Sequence, residues 1–241
     1  LGAYKLGYID GTEYLFAENG LLLKKSDRYR NWIDYIWDTS DNSIRLSIIR
    51  DCTGREILFS YNELMTQITL EDRTYSFYKQ LVSDTDAVGL LTKVSDPEGR
   101  ETRLFYRDYS LEYTLADGID PISMPYYALS EIAYPTGLRV SYGYLTSRKG
   151  ASSGYMDYLK LAQRFDEMPN GSVCNTQRYS YGGEPDAYPA SELPNSYTYS
   201  TTVYSDGNKA TVYAYDHRHL QLYRETSYSG VLAEHSDFEY D

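Results

Sequence analysis

Lys93-Val94-Ser95-Asp96-Pro97-Glu98-Gly99-Arg100, running on to Tyr106, is the stretch that decides how this chain folds. A strand-like run reaches Asp96, turns through Gly99 and leaves as a second strand-like run ending in tyrosine. Aspartate at the first turn position accepts a hydrogen bond from a backbone N–H two residues on, and glycine at the fourth tolerates positive φ. Pro97 sits at the second position, where its fixed φ fits. Ile49-Arg50-Asp51-Cys52-Thr53-Gly54-Arg55, running to Tyr61, repeats the same grammar. Both stretches predict β-hairpins.

Further turn signals lie at Asp10-Gly11, Asn19-Gly20, Thr136-Gly137, Asn170-Gly171 and Asp206-Gly207. Between them the pattern alternates. Leu138, Val140, Tyr142 and Tyr144 share one side of a strand, as do Ile57, Phe59 and Tyr61, and Thr211, Tyr213 and Tyr215. Alternation with period two describes strands with one buried face. Turns at spacings of about ten residues predict roughly 20 strands. The expected class is all-β: successive antiparallel hairpins with long loops. The turn glycines at 20, 54, 99, 137 and 207 share no single period, so the chain is not a strict solenoid.

Two stretches interrupt the grammar, Asp108 to Tyr127 and Thr146 to Pro194. The second carries Ser152-Ser153-Gly154, Gly182-Gly183, Pro185, Pro189 and Pro194, which predict long loops. Residues 1–241 read as one array with an irregular region over 145–195. Within it, Tyr155, Tyr158, Leu159, Ala162 and Phe165 form a helical stripe, yet Leu159, Leu161, Gln163 and Phe165 also alternate. Period alone does not separate the two over so short a run, and strand is favoured.

The chain has 29 tyrosines against 6 phenylalanines and 2 tryptophans. Tyrosine suits strands and can bury its ring while its hydroxyl reaches water or a partner. That reconciles a mean hydropathy of -0.57 with a globular pattern. The formal net charge of -12 argues against a nucleic-acid partner and against adsorption to anionic lipid. It supplies solubility, or an acidic surface for a basic partner. Cys52 and Cys174 lie far apart, have no metal-site spacing and define no disulfide. No apolar run approaches a membrane span and no signal peptide is present. The chain opens in a strand-like stretch and closes on Tyr240-Asp241 in mid-repeat, as expected of a piece of a longer polypeptide whose targeting signals lie elsewhere.

The repeated units resemble those of YD-repeat proteins, the rearrangement-hot-spot (Rhs) group. Asn19-Gly20-Leu21 with Asp27-Arg28, Asn31, Tyr35 and Asp38 carries the resemblance, as do the units Asp51–Tyr61 and Asp96–Tyr106. Tyr134-Pro135-Thr136-Gly137-Leu138 through Tyr144 resembles another variant. Asp206-Gly207-Asn208 to Tyr213, Tyr215-Asp216 and Tyr240-Asp241 carry the tyrosine–aspartate signature. The resemblance is weakest over 108–127 and 145–195. It implies a curved, spiralling sheet forming part of a hollow β shell. In bacterial toxins and toxin complexes of this group the shell encloses a toxic domain, and in animal relatives a similar barrel is displayed at the cell surface. For this chain it therefore implies an extracellular or cell-surface setting, with the remainder of the same polypeptide, such as a toxin, as partner. The repeat-defining residues are then Asp51, Gly54, Arg55, Tyr61, Asp96, Gly99, Arg100, Tyr106, Gly137, Asp206, Gly207, Tyr215 and Asp216. Two departures stand out. Arg30 occupies a position where glycine is usual, and Asp96-Pro97-Glu98-Gly99 has no second copy, so the self-cleavage of some members is not carried over.

No nucleophile elbow, phosphate loop, metalloprotease helix or paired-cysteine motif is present. The expectation is a non-enzyme without cofactor or metal. Arg55 and Arg100, each just past a turn glycine, are placed to pair with the local aspartates. His217 and His219 would share a strand face and begin a metal site only if a carboxylate joined them; solvated strand residues are the plainer expectation. Tyr197, Tyr199 and Tyr213 are the candidates for stacking on a glycan or meeting a surface receptor, against cross-strand packing as the simpler role. Trp32 and Trp37, at odd separation, belong on opposite faces of one strand. Bare strand edges predict edge-to-edge dimerisation of the excised chain, unless 145–195 covers them.

Overall fold

The computed structural model describes residues 3–40, 43–81, 89–114, 119–151, 154–183 and 196–240. They form eighteen strands and no helix. In order these are β1 (Ala3–Gly7), β2 (Glu13–Ala17), β3 (Leu22–Ser26), β4 (Trp32–Asp38), β5 (Arg45–Asp51), β6 (Glu56–Tyr61), β7 (Met65–Leu70), β8 (Arg73–Leu81) and β9 (Gly89–Ser95). There follow β10 (Glu101–Thr114), β11 (Ile122–Ala133), β12 (Arg139–Ala151), β13 (Gly154–Glu167), β14 (Val173–Gly182), β15 (Thr198–Ser205), β16 (Lys209–Asp216), β17 (Gln221–Tyr228) and β18 (Val231–Asp237). All belong to one hydrogen-bonded antiparallel sheet in which strands pair with their sequence neighbours. The all-β hairpin class expected from the turn grammar is the observed one. The chain divides into two compact units, Leu1–Arg103 and Leu104–Asp241.

Eight turns share one geometry. They begin at Tyr8, Ala17, Asp27, Asp51, Asp96, Tyr134, Met168 and Asp216. In each, the first residue's N–H donates to the carbonyl of the fifth, and the fourth residue's N–H donates back to the first carbonyl. The fourth residue has positive φ every time: Gly11, Gly20, Arg30, Gly54, Gly99, Gly137, Gly171 and His219. This is a type I turn followed by a left-handed bulge residue, the standard three-residue hairpin connection. Arg30 holds φ 69° and His219 φ 65°, so both sit where a side chain is strained. Arg30→Gly is expected to stabilise the β3–β4 hairpin by up to about 1 kcal/mol, because glycine's entropy cost offsets part of the relieved strain. Conversely, a Cβ on Gly54 meets no atom within 4 Å, whereas one on Gly11 would stand 2.6 Å from the Arg28 Cβ. Gly11→Ala should therefore cost more in urea unfolding than Gly54→Ala, which carries only the φ penalty of about 1 kcal/mol. Equal costs would sink this account.

Taken by itself, the first unit has two distinct sheet faces. Register places Tyr35 opposite Ile49, Ile49 opposite Ile57, Phe59 opposite Ile68 and Phe77 opposite Val94 on one face. The other face carries ion pairs across strands: Lys24–Asp34 at 3.2 Å, Arg50–Glu56 at 2.6 Å and Lys93–Glu101 at 2.8 Å. Half-exposed pairs like these, still open to water, contribute about 0–1 kcal/mol each, enough to favour register but not to replace a core. Among the described residues of this unit only Ser76 is buried, and no apolar side chain is. The second unit buries Ala128, Val140 and Ala214, all small.

The two irregular stretches are mostly strand. β12 and β13 pair from Arg139–Glu167 to Ala151–Gly154, with one register shift, so the favoured strand reading of 155–165 holds. Long-range pairing decides what the local period left open. Ser152 and Ser153 lie outside the described residues, as do 184–195 with Pro185, Pro189 and Pro194. β10 and β11 likewise extend into 108–127, of which 115–118 are outside the described residues.

Candidate functional site

The repeated chemistry sits at the turns and just beyond them. Four turns open on aspartate, and in each one carboxylate oxygen accepts the backbone N–H two residues on and again four residues on. Asp51 receives Thr53 and Arg55 at 2.9 and 3.0 Å, Asp96 receives Glu98 and Arg100 at 3.1 and 2.8 Å, and Asp216 receives Arg218 and Leu220 at 2.8 and 3.0 Å. Asp27 does the same with Tyr29 and Asn31. The second oxygen takes an arginine Nε: Arg55 at 2.7 Å, Arg100 at 2.6 Å and Arg218 at 2.9 Å. The Thr53 hydroxyl, ahead of Arg55, holds the Asp51 carboxyl well below the usual carboxylate range. At Asp96 and Asp216 desolvation pushes upward, but the summed hydrogen bonds outweigh it and the carboxyls are lowered.

A second class of turn reaches the same end from its third position. Asp10 accepts the Thr12 N–H, Asn19 the Leu21 N–H, and Asn170 the Ser172 N–H. The aspartate-first and third-position classes thus satisfy the same fifth-residue donor. Asp206 behaves differently. Gly207 and Asn208 both have positive φ, and the Asp206 carboxylate accepts the Thr176 N–H, 30 residues away on β14, rather than capping its own turn.

Beyond the turn lies an aromatic lock. The Tyr61 hydroxyl donates to the Leu46 carbonyl at 2.8 Å, Tyr144 to Leu129 at 2.9 Å and Tyr181 to Leu161 at 2.8 Å, and the Trp37 indole N–H donates to Leu22 at 2.8 Å. Leu22, Leu46 and Leu161 each precede a residue skipped by the ladder: Leu23, Ser47 and Ala162. A bulge withdraws a carbonyl from strand pairing, and a half-buried carbonyl needs another donor. The aromatic supplies it. Desolvation raises the Tyr61, Tyr144 and Tyr181 phenols, which keeps them protonated donors. Leu91 precedes the skipped residue Thr92 and stands fifteen residues before Tyr106, the spacing of Leu46 and Tyr61; desolvation raises the Tyr106 phenol too.

Tyr199 lies opposite Tyr215 across β15–β16, stacked at 5.1 Å, and its hydroxyl meets His219 Nδ1 at 2.8 Å. Tyr197 sits 6.3 Å from Tyr199, and Tyr213 stands between Thr201 and Arg224. The Tyr199 ring is thus engaged in cross-strand packing. His217 and His219 lie in the Asp216 turn and not on a strand, so they do not share a strand face, because the turn needs a left-handed residue at its fourth position. Among the described residues no cluster of three His, Cys, Asp or Glu could hold a metal ion. Cys52 is exposed and Cys174 half-buried, and both are free thiols. Trp32 and Trp37 sit on opposite faces of β4, with Lys24 Nζ 4.3 Å above the Trp32 ring.

Sequence reasoning missed one cluster. β10 and β13, not neighbours in the chain, pair at Tyr113–Met156 and Thr114–Tyr155. Where they meet, Asp157, 8% exposed, accepts Arg148 Nε at 2.7 Å and the Glu112 N–H at 3.2 Å. Arg148 also reaches Glu112 at 3.1 Å and lies 3.9 Å over the Tyr155 ring. The neighbouring groove, about 350 Å³, is lined by Leu111, Tyr113, Met124, Tyr126, Met156 and Leu159 among others. The locks did leave a signal: leucine five residues before a turn opens and an aromatic ten after, as in Leu22, Asp27 and Trp37. The Asp157 cluster left none.

No family model matches the chain, and no curated protein matches it. Among solved structures it is similar to the crystal structure of TcdB2-TccC3-TEV, at 13% identity over 93% of this chain with a TM-score of 0.24. The chain spans 15% of the length of that chain. The fold description rests on the strand pairing above and takes nothing from this likeness.

Proposed function

We propose that this chain is a non-enzymatic length of β wall that encloses or displays another part of the same polypeptide, in the manner of YD-repeat proteins. The observation that carries the reading is the first unit: nine strands, with the turns that open at Tyr8, Ala17, Asp27, Asp51 and Asp96 capped by their own side chains and no buried apolar residue among those described. Such an array draws its stability from hairpin to hairpin, as repeat proteins do. Its action is steric. The half-exposed apolar face is surface that a further layer would cover. The acidic side chains of Asp51, Asp96 and Asp216 are committed to backbone N–H groups of their own turns. The extracellular setting belongs to the same proposal.

The test is protease mapping of the full polypeptide that carries this chain. A segment elsewhere in that polypeptide is expected to survive digestion, and to become cleavable when Asp51, Asp96 and Asp216 are all replaced by alanine. Enclosure fails if every other segment is cut at the same rate in wild type and variant while the wall itself stays intact; surface labelling of the flanking segments then reads out display.

A further inference from the structure

His235 lies on β18 directly opposite Glu225 of β17. Its Nδ1 is 3.0 Å from Glu225 Oε1 and its Nε2 is 2.9 Å from Asp237 Oδ1. A neutral imidazole has one N–H and can satisfy only one of these carboxylates; its other nitrogen would then present a lone pair to an anionic oxygen. Only the imidazolium donates to both. Tyr223, across from Asp237, stacks on the ring at 5.8 Å. On this face β16 contributes Val212 and Ala214 opposite Glu225 and Tyr223, and its further carboxylate on that side, Asp216, is paired with Arg218. Arg224 and Glu234 pair with each other on the opposite face.

We propose that His235, Glu225 and Asp237 form a pH-sensitive clasp that holds β18 on β17 in acid and loosens as the pH rises. The clasp is independent of the wall reading, since it needs only the β17–β18 pairing. Hydrogen bonding to Asp237 first, then the charges of both carboxylates, raises the His235 pKa above 6.5 against some desolvation. A raised folded value means the contribution is fully present below the unfolded histidine pKa and is lost as pH climbs through the folded one. The window is therefore above 6.5.

The experiment follows the His235 imidazole by NMR and the amide exchange of Val231–Asp237 relative to β15–β16, from about pH 5.5 to about pH 8.5. The expected result is a midpoint above 6.5 and a severalfold fall in relative β18 protection through it. His235→Gln, which can still donate to one carboxylate, should abolish the pH dependence. Asp237→Asn should keep the fold and move the midpoint down. A wild-type midpoint at or below 6.5, or the same pH dependence of β18 exchange in His235→Gln, overturns the clasp.

Discussion

Trp37→Ala is expected to destabilise the β3–β4 hairpin by about 2–4 kcal/mol, the largest effect of any single substitution in the first unit. A fully buried tryptophan costs about 3–5 kcal/mol on truncation, and Trp37 is only half-buried, which lowers the packing share. Losing the indole N–H strands the Leu22 carbonyl beside its bulge, which adds about 1–3 kcal/mol when the carbonyl stays shielded from water. Trp37→Phe separates the two, because it keeps most of the ring and removes only the donor. Tyr61→Phe, Tyr144→Phe and Tyr181→Phe remove the same kind of donor and should each cost about 1 kcal/mol or somewhat more. Trp32→Ala on the opposite face, whose ring lies under the half-buried Lys24 ammonium, is the control and should cost less. Urea unfolding with amide exchange across β3 and β4 checks this. If Trp37→Phe is as stable as wild type, the lock is ornamental and the bulge carbonyl is satisfied by solvent.

Asp157→Ala should open the β10–β13 junction. The carboxylate is almost wholly enclosed, and its loss leaves the Glu112 N–H without an acceptor and the Arg148 guanidinium with only the Glu112 carboxylate. Breaking a fully buried pair costs about 3–5 kcal/mol; Arg148 is half-exposed and can rehydrate, so about 1–3 kcal/mol is expected. The variant should lose exchange protection at Glu112 and Tyr113 while the β16–β17 ladder is untouched. Hydrogen bonds from Arg148, outweighing desolvation, hold Asp157 below the ordinary carboxylate value. With a lowered folded pKa, the stabilisation is present above the unfolded value of about 3.9 and disappears as pH falls through the folded one. Acid should therefore mimic the substitution in wild type and add nothing further at this junction in Asp157→Ala. Uniform loss of protection across the second unit would show that the cluster is not a local closure.

The hairpins were legible because their chemistry is local. The Asp51 and Asp96 carboxylates reach N–H groups two and four residues away, within a span the chain covers before it meets anything else. Arg30 was legible as an anomaly for the same reason, and its φ of 69° shows that the turn keeps its geometry and imposes strain on the residue. The third-position caps at Asp10, Asn19 and Asn170 serve the same donor, although the sequence marks them only as turns. Asp206 fits the same words and does something else, because a carboxylate beside two left-handed residues turns outward to another strand.

Local chemistry dictates the strand class, most of the turn positions and the alternation that gives each strand two unlike sides, since these depend on neighbours within about five residues; the Asp216 turn, with His219 and not glycine at its fourth position, carries no such mark. Tertiary structure decided that Trp37, Tyr61 and Tyr181 reach carbonyls left free beside β-bulges and Tyr144 the Leu129 carbonyl, that Asp157 closes β10 on β13, and that His235 stands between two carboxylates. Those contacts depend on register, and register follows from where a ladder skips a residue. The leucine and aromatic spacing marks where a lock can form, but which residue the ladder skips is settled between strands that meet only on folding.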